Sequence, residues 1–229
     1  MTPPATLINA EPYPMRSRSG KVHLKATPEE LRRGGILLED LPPGRPFDPQ
    51  APFGNRRPVE IEIGTGKGAF LLRRAQQRPE INFLGIEWVP NYACYVADRA
   101  RRAGLANVRL LRADAETLFK TSLPDRSALR IHIYFPDPWP KRKHWSRRLV
   151  KVPFLADVRR VLQWGGQLAL VTDHEGYFRQ IRLALELTDG LVVQEFISLE
   201  PSWLVGTNFE RKYAAAGKRF FATAAMRCR

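Results

Sequence analysis

Three groups of residues in this 229-residue chain have the types and spacing to do chemistry. One is a set of acids standing at or just after short apolar runs: Glu62, Glu87, Asp114, Asp137 and Asp173. Another is the loop "GTGKGA" (64 to 69), in which Gly64, Gly66 and Ala69 fit G-x-G-x-x-G/A, with Glu87 about 20 residues downstream. The last is "FPDPWPKRKHWSRR" (135 to 148), where Asp137 stands between Pro136 and Pro138, just before a run of basic residues.

Each group limits the chemistry. An acid after the second strand of a glycine-loop unit accepts hydrogen bonds from a ribose. That leaves two enzyme classes open, a nicotinamide dehydrogenase and a methyltransferase using S-adenosylmethionine. The crowd of acids favours the second. Two like charges about 4 Å apart cost on the order of 4 kcal/mol at an effective dielectric near 20, so a diphosphate among them is repelled. S-adenosylmethionine brings an ammonium and a sulfonium instead, and its ribose and adenine suit Glu87 and Asp114. A P-loop is excluded, because "GTGKGA" lacks the Lys-Ser/Thr ending. In the third group the two prolines restrict the backbone around Asp137 and so aim its carboxylate. Five of the eight residues from 141 to 148 are Lys or Arg, interleaved with His144 and Trp145 and preceded by Trp139. Cations with stacking rings suit RNA or single-stranded nucleic acid better than a lipid surface.

These groups need a scaffold that collects strand ends at one edge. Strand-like runs occur at 59 to 64, 81 to 87, 108 to 114, 129 to 135, 166 to 173, 191 to 197 and 219 to 226. Helical stretches such as "AFLLRRAQQ" and "NYACYVADRARRAG", the latter with Gly104 as its C-cap, separate the early ones. The pattern is βαβ, which predicts an α/β fold with a mostly parallel, doubly wound sheet of seven strands. Ligands in such sheets lie beyond the carboxyl ends of the strands. Residues 58 to 229 form the predicted catalytic domain. Residues 1 to 57 read as a Pro-rich, basic, partly flexible arm: 11 of the 19 prolines fall in the first 58 positions. One short helix is expected there at 27 to 33, where "TPEELRR" offers an N-cap, an early proline and early acids. The stretch "RSRSGKVHLK" (16 to 25) is basic and either contacts phosphate or is solvated.

Composition sets the outer bounds. The chain is 44% hydrophobic, enough for one sizeable core, and 37 Lys+Arg against 23 Asp+Glu give a net charge of +14. That excess favours a polyanionic partner. No apolar run approaches the roughly 20 residues of a membrane span, and the start has no signal-peptide core, so a soluble, cytoplasmic protein is expected. Cys94 and Cys228 lack metal-ligand spacing, and no metal site is expected.

The motifs "EIGTGKG", "GIE", "ADA", "FPDPWPK", "TDHEGY" and "TNFE", spread between 59 and 210, together resemble the bacterial tRNA (guanine-N7-)-methyltransferase family. The resemblance implies a Rossmann-like class I methyltransferase fold, S-adenosylmethionine as donor, and N7-methylation of a guanine in the variable loop of tRNA. By that resemblance Glu62, Gly64, Gly66, Glu87, Asp114 and Asp137 hold the cofactor, and Asp137 is also catalytic. It further assigns Lys141, Asp173, Thr207, Asn208, Phe209 and Glu210 to substrate, and Lys143, His144, Trp145, Ser146, Arg147 and Arg148 to RNA. Asp173 or Glu210 would read the N1 and N2 donors of the guanine. The family's usual basic run, Arg-His-x-Lys-Arg-Arg, is here "KHWSRR", which removes one charge and replaces a planar fork by a point charge. A catalytically degenerate tRNA-binding module is the alternative from the binding class. Monomer and homodimer are both compatible with the sequence.

Overall fold

The computed structural model describes residues 22 to 200 and 202 to 229. The first part of the basic stretch, 16 to 21, lies outside them. Among the described residues, seven strands form one sheet: β1 (Val59–Ile63), β2 (Asn82–Glu87), β3 (Val108–Arg112), β4 (Ala128–Tyr134), β5 (Leu162–Thr172), β6 (Leu191–Gln194) and β7 (Phe221–Arg227). Their order is β3-β2-β1-β4-β5-β7-β6. β1 pairs in parallel with β2 and β4, while β7 runs antiparallel to both β5 and β6. The mostly parallel, seven-stranded α/β prediction holds. The order reverses between β1 and β4, which opens a crevice at their carboxyl ends.

The strand alternation separates two chemistries. Ile61, Ile63, Ile131, Ile133, Leu168 and Leu170 point to one face and pack with α4 (Ala115–Thr121), α5 (Val152–Val161) and α6 (Glu175–Glu186). The other face, under α2 (Ala69–Gln77) and α3 (Pro90–Arg102), is polar at its centre. There Glu60 Oε2 lies 2.9 Å from His132 Nε2, and His132 Nδ1 lies 2.8 Å from the Tyr134 hydroxyl, with Phe70 of α2 packed on both rings. Buried polar groups are retained when they are paired, as these are.

The described part of the arm is more ordered than its composition predicts. Thr27 and Glu30 form a reciprocal capping box on α1 (Pro28–Arg33), and Leu31 is fully buried. Beyond it, Leu38 N–H donates to Leu110 O at 2.8 Å and Leu110 N–H to Ile36 O at 2.8 Å, so the arm covers the outer edge of β3. Covering an edge strand removes a row of unpaired backbone groups. The short run Ile36-Leu37-Leu38 does this without any periodic pattern, which is why composition alone missed it.

The glycine loop holds three left-handed residues, Gly64, Gly66 and Gly68 at φ +77°, +52° and +71°. Gly68 is the N-cap of α2, and a Cβ there would lie 2.6 Å from Val96 Cγ1 of α3. Only glycine combines that backbone with that approach. Gly68→Ala is expected to lose about 1 to 3 kcal/mol of stability, read from denaturant midpoints. An unchanged midpoint would show that α3 shifts freely.

Candidate active site

Two adjoining cavities of about 490 and 470 Å³ open at the crevice, sharing Gly64, Tyr134 and Phe135. Glu87, Asp114, Asp137 and Trp139 line the first, with Glu62, Gly66, Thr207, Asn208 and Phe209 in the second. The fold thus brings the six residues expected at the cofactor to one cleft, beside the segment expected at the substrate.

The acids differ in how far they are satisfied. Glu62 is 3% exposed, and its Oε2 is buried without a hydrogen-bond partner. Burial first, and the neighbouring Glu87 second, push its carboxyl well above the usual range. Glu87 accepts from Gly66 N–H at 2.8 Å and Val89 N–H at 2.9 Å, tying the glycine loop to the end of β2. Burial still raises its pKa, and Asp137 adds to the rise. Asp137 is raised by partial withdrawal from water. Asp114 caps α4 through Oδ1, at 2.8 Å from Thr117 N, leaving Oδ2 for another partner. None of Glu62, Glu87 and Asp137 forms an ion pair with another described residue. Acids raised by burial and by one another are set for a cation, which would favour their charged forms.

This has a measurable sign. A carboxyl raised in the folded protein stabilises it below the ordinary carboxylate pKa, and that contribution is lost as pH rises through the folded value. A cationic ligand that lowers the pKa again must release protons on binding. Its affinity then rises with pH across the window between bound and free values. Calorimetry of S-adenosylmethionine binding in buffers of different ionisation heat should show net proton release. Binding without proton exchange and without pH dependence would remove the acids from the site.

The loop after β4 is fixed by more than its prolines. Phe135 and Trp139 take φ of +55° and +39°, unusual for large side chains. Arg148 holds this shape: its Nε donates to Pro138 O at 2.7 Å and its Nη2 to Trp139 O at 3.4 Å, while Nη1 bonds Gln180. The guanidinium lies over the Trp145 and Tyr177 rings at 4.7 and 4.8 Å. Arg148 is only 2% exposed. The side chain, expected in the RNA patch, is here spent on the Asp137 loop. The rest of the run forms a 3-10 helix, Arg142–Arg147, with Lys143, Trp145, Ser146 and Arg147 exposed and His144 edge-on to Trp139. Lys141 is its N-cap, also exposed, and does not line either cavity.

The segment 204 to 213 forms the opposite wall. Thr207 caps α7 (Asn208–Ala214), and Phe209 packs on Phe135 with ring centres 4.7 Å apart. Glu210, expected at the substrate, also turns inward. It is 3% exposed, and its carboxylate accepts from Leu204, Val205 and Gly206 N–H at 2.5, 2.9 and 2.6 Å. It shapes the wall through these three bonds. Asp173 remains partly accessible, paired with Lys218, whose ammonium lies over the Phe209 and Tyr213 rings. Arg73 was not anticipated. It reaches from α2 to Val205 O and Gly206 O at 2.8 and 3.0 Å and pairs with Glu200 at 2.9 Å. Nothing in the sequence marks it out from its arginine neighbours.

Sheet order, glycine loop and strand-end acids define a Rossmann-like methyltransferase. Solved structures carry the same fold: an S-adenosylmethionine-dependent methyltransferase from Aquifex aeolicus superposes with a TM-score of 0.52 at 20% identity, over 88% of this chain and 99% of that one. The 16S rRNA methyltransferase KamB gives 0.58 at 18% identity, over 76% and 88%. A family model described as "Putative methyltransferase" matches residues 56 to 223. The tRNA (guanine-N(7)-)-methyltransferase of Geobacillus thermodenitrificans is 38% identical over 76% of this chain and 82% of its own, and that of Methylococcus capsulatus 35% identical over 90% and 92%. The chain belongs to the tRNA (guanine-N(7)-)-methyltransferase family. A methyltransferase of this kind implies S-adenosylmethionine as donor, and the donor set fits it: an unpartnered buried carboxylate oxygen on Glu62, and no atom within 4 Å of where a Cβ would stand on Gly64 or Gly66. Among the described residues no helix is long and apolar enough to cross a membrane.

Proposed function

We propose that this protein methylates N7 of a guanine in the variable loop of tRNA. The observation that carries the reading is the meeting, in one cleft, of acids lacking a countercharge with a proline-framed Asp137 that leads straight into an exposed basic helix. S-adenosylmethionine supplies, when bound, a methyl group activated by its sulfonium. Glu62 and the glycine loop hold the amino-acid end, Glu87 the ribose and Asp114 the adenine. Guanine N7 has an in-plane lone pair and no proton, so the chain needs neither a covalent nucleophile nor a base to begin. Its task is alignment, from which most of the acceleration comes. Phe209 and Phe135 offer a flat apolar surface for the purine, and Asp173 accepts from its Watson–Crick edge. Asp137 faces a base that becomes cationic as the methyl transfers, and its fixed charge stabilises that change. Lys143 and His144 hold phosphates outside the cleft and Arg147 at its rim, with Trp145 and Ser146 on the same exposed turn and Lys141 at its entrance. The compartment fitting this reading is the cytoplasm.

The test is methyl transfer from labelled S-adenosylmethionine to unmodified tRNA. Label is expected in tRNA and absent when the variable-loop guanine is replaced by adenine. Label that ignores that replacement would overturn the assignment.

A further inference from the structure

A third opening, of about 470 Å³, lies outside the cleft, between α2, α3 and α7. Arg73, Arg99, Arg102 and Arg211 line it, and no acid does. Two of these cations are committed to protein. Arg73 pairs with Glu200, and Arg102, like Arg101, holds the buried Asp98 at about the distance of a hydrogen bond. The other two have no carboxylate among the described residues: Arg99 donates to Lys67 O at 2.6 Å and lies 5.7 Å from the Tyr95 ring centre, and Arg211 lies 5.7 Å from the Trp203 ring centre. The opening adjoins the cleft, since Ala69 and Asn208 line both. It lies on the α2–α3 face, with α7 and its expected substrate segment between it and the methyl-transfer cleft.

We propose that this groove is a second RNA-binding surface, taking the sugar-phosphate backbone of the tRNA on the side away from the basic 3-10 helix. It rests on the function proposed above and adds a second track to it: one set of phosphates bound by Lys143 to Arg147, the other by Arg99 and Arg211. Guanidinium groups suit this, since each offers several donors to phosphate oxygens. A backbone gripped on both sides of the cleft fixes which nucleotide reaches Asp137. Base-specific contacts are not needed, because tRNA is recognised largely by shape and phosphate position.

The double variant Arg99→Ala/Arg211→Ala tests this, with Lys120→Ala on α4, across the sheet, as a control that removes one exposed cation outside the groove. Affinity for unmodified tRNA is measured across a range of salt concentrations, and S-adenosylmethionine affinity by calorimetry. Each lost phosphate contact reduces the salt slope by about 0.7 to 0.9, so the double variant should lose roughly 1.5 and bind about tenfold more weakly, the control losing neither. Cofactor affinity should be unchanged. Wild-type slope and affinity in the double variant would overturn the groove. Should cofactor affinity also fall, through the Arg99 bond to the glycine loop, Arg211→Glu decides. The side chain of this exposed residue bonds no backbone among the described residues, and an unaltered slope there overturns the proposal. A wild-type protein that bound no tRNA would instead overturn the function itself.

Discussion

The Asp137→Asn protein should fold and bind tRNA like the wild type yet transfer methyl groups about 100- to 1,000-fold more slowly, the loss of about 3 to 4 kcal/mol seen when one preorganised electrostatic group is removed from a site. The substitution keeps the shape and removes the charge. Asp137 has no hydrogen bond to another described residue and is solvent-exposed at the mouth of the cleft, so stability should change by less than about 0.5 kcal/mol. Single-turnover rates at saturating cofactor and tRNA separate this from a binding defect. A rate within about threefold of wild type would leave Asp137 only orienting the loop.

The Arg148→Ala protein should show the largest loss of stability, about 3 to 5 kcal/mol, because buried neutral acceptors lose a charged donor and a cavity opens where the side chain stood. Truncation takes the donors from Pro138 O, Trp139 O and Gln180 together and leaves a void between Trp145 and Tyr177. The left-handed Trp139 would then lose the contact that holds its strained backbone, and Asp137 would lose its aim. Arg148→Lys should recover only part of the loss, because one ammonium cannot span both carbonyls and the amide. Denaturant midpoints, with kcat/KM at a temperature where each variant is folded, check both effects. Equal stability for all three proteins would mean that the prolines alone shape the loop.

How much of this could be read beforehand follows from how local each feature is. All seven strands are visible as apolar runs, most plainly β1 and β2, which are buried along their whole length. The cleft acids are visible too, since each stands at or near the end of such a run. Features that depend on distant contacts are not. Arg148 sits fifth among five basic residues and is the one turned inward, and its type argues for solvent. Glu210 looks like an accessible acid on a helix, but three N–H groups from 204 to 206 converge on it only once the chain has folded back. Gly68 falls outside the glycine pattern, whose positions reflect the cofactor, because its reason is Val96 on another helix. The antiparallel β7 is likewise a matter of topology and left no mark on composition.

The groove and the cleft assign different tasks to charge of opposite sign. In the function proposed above, acids with raised pKa values face the donor and the base, while arginines and lysines outside them face phosphate.

The most direct measurement is mass-spectrometric mapping of methylated nucleosides after a complete, unmodified tRNA pool has been incubated with the protein and S-adenosylmethionine. N7-methylguanosine at one position of the variable loop, absent with Asp137→Asn at the same incubation time, is the expected result. A methyl group on another atom or another base, or N7-methylguanosine formed equally by the Asp137→Asn protein, would contradict it.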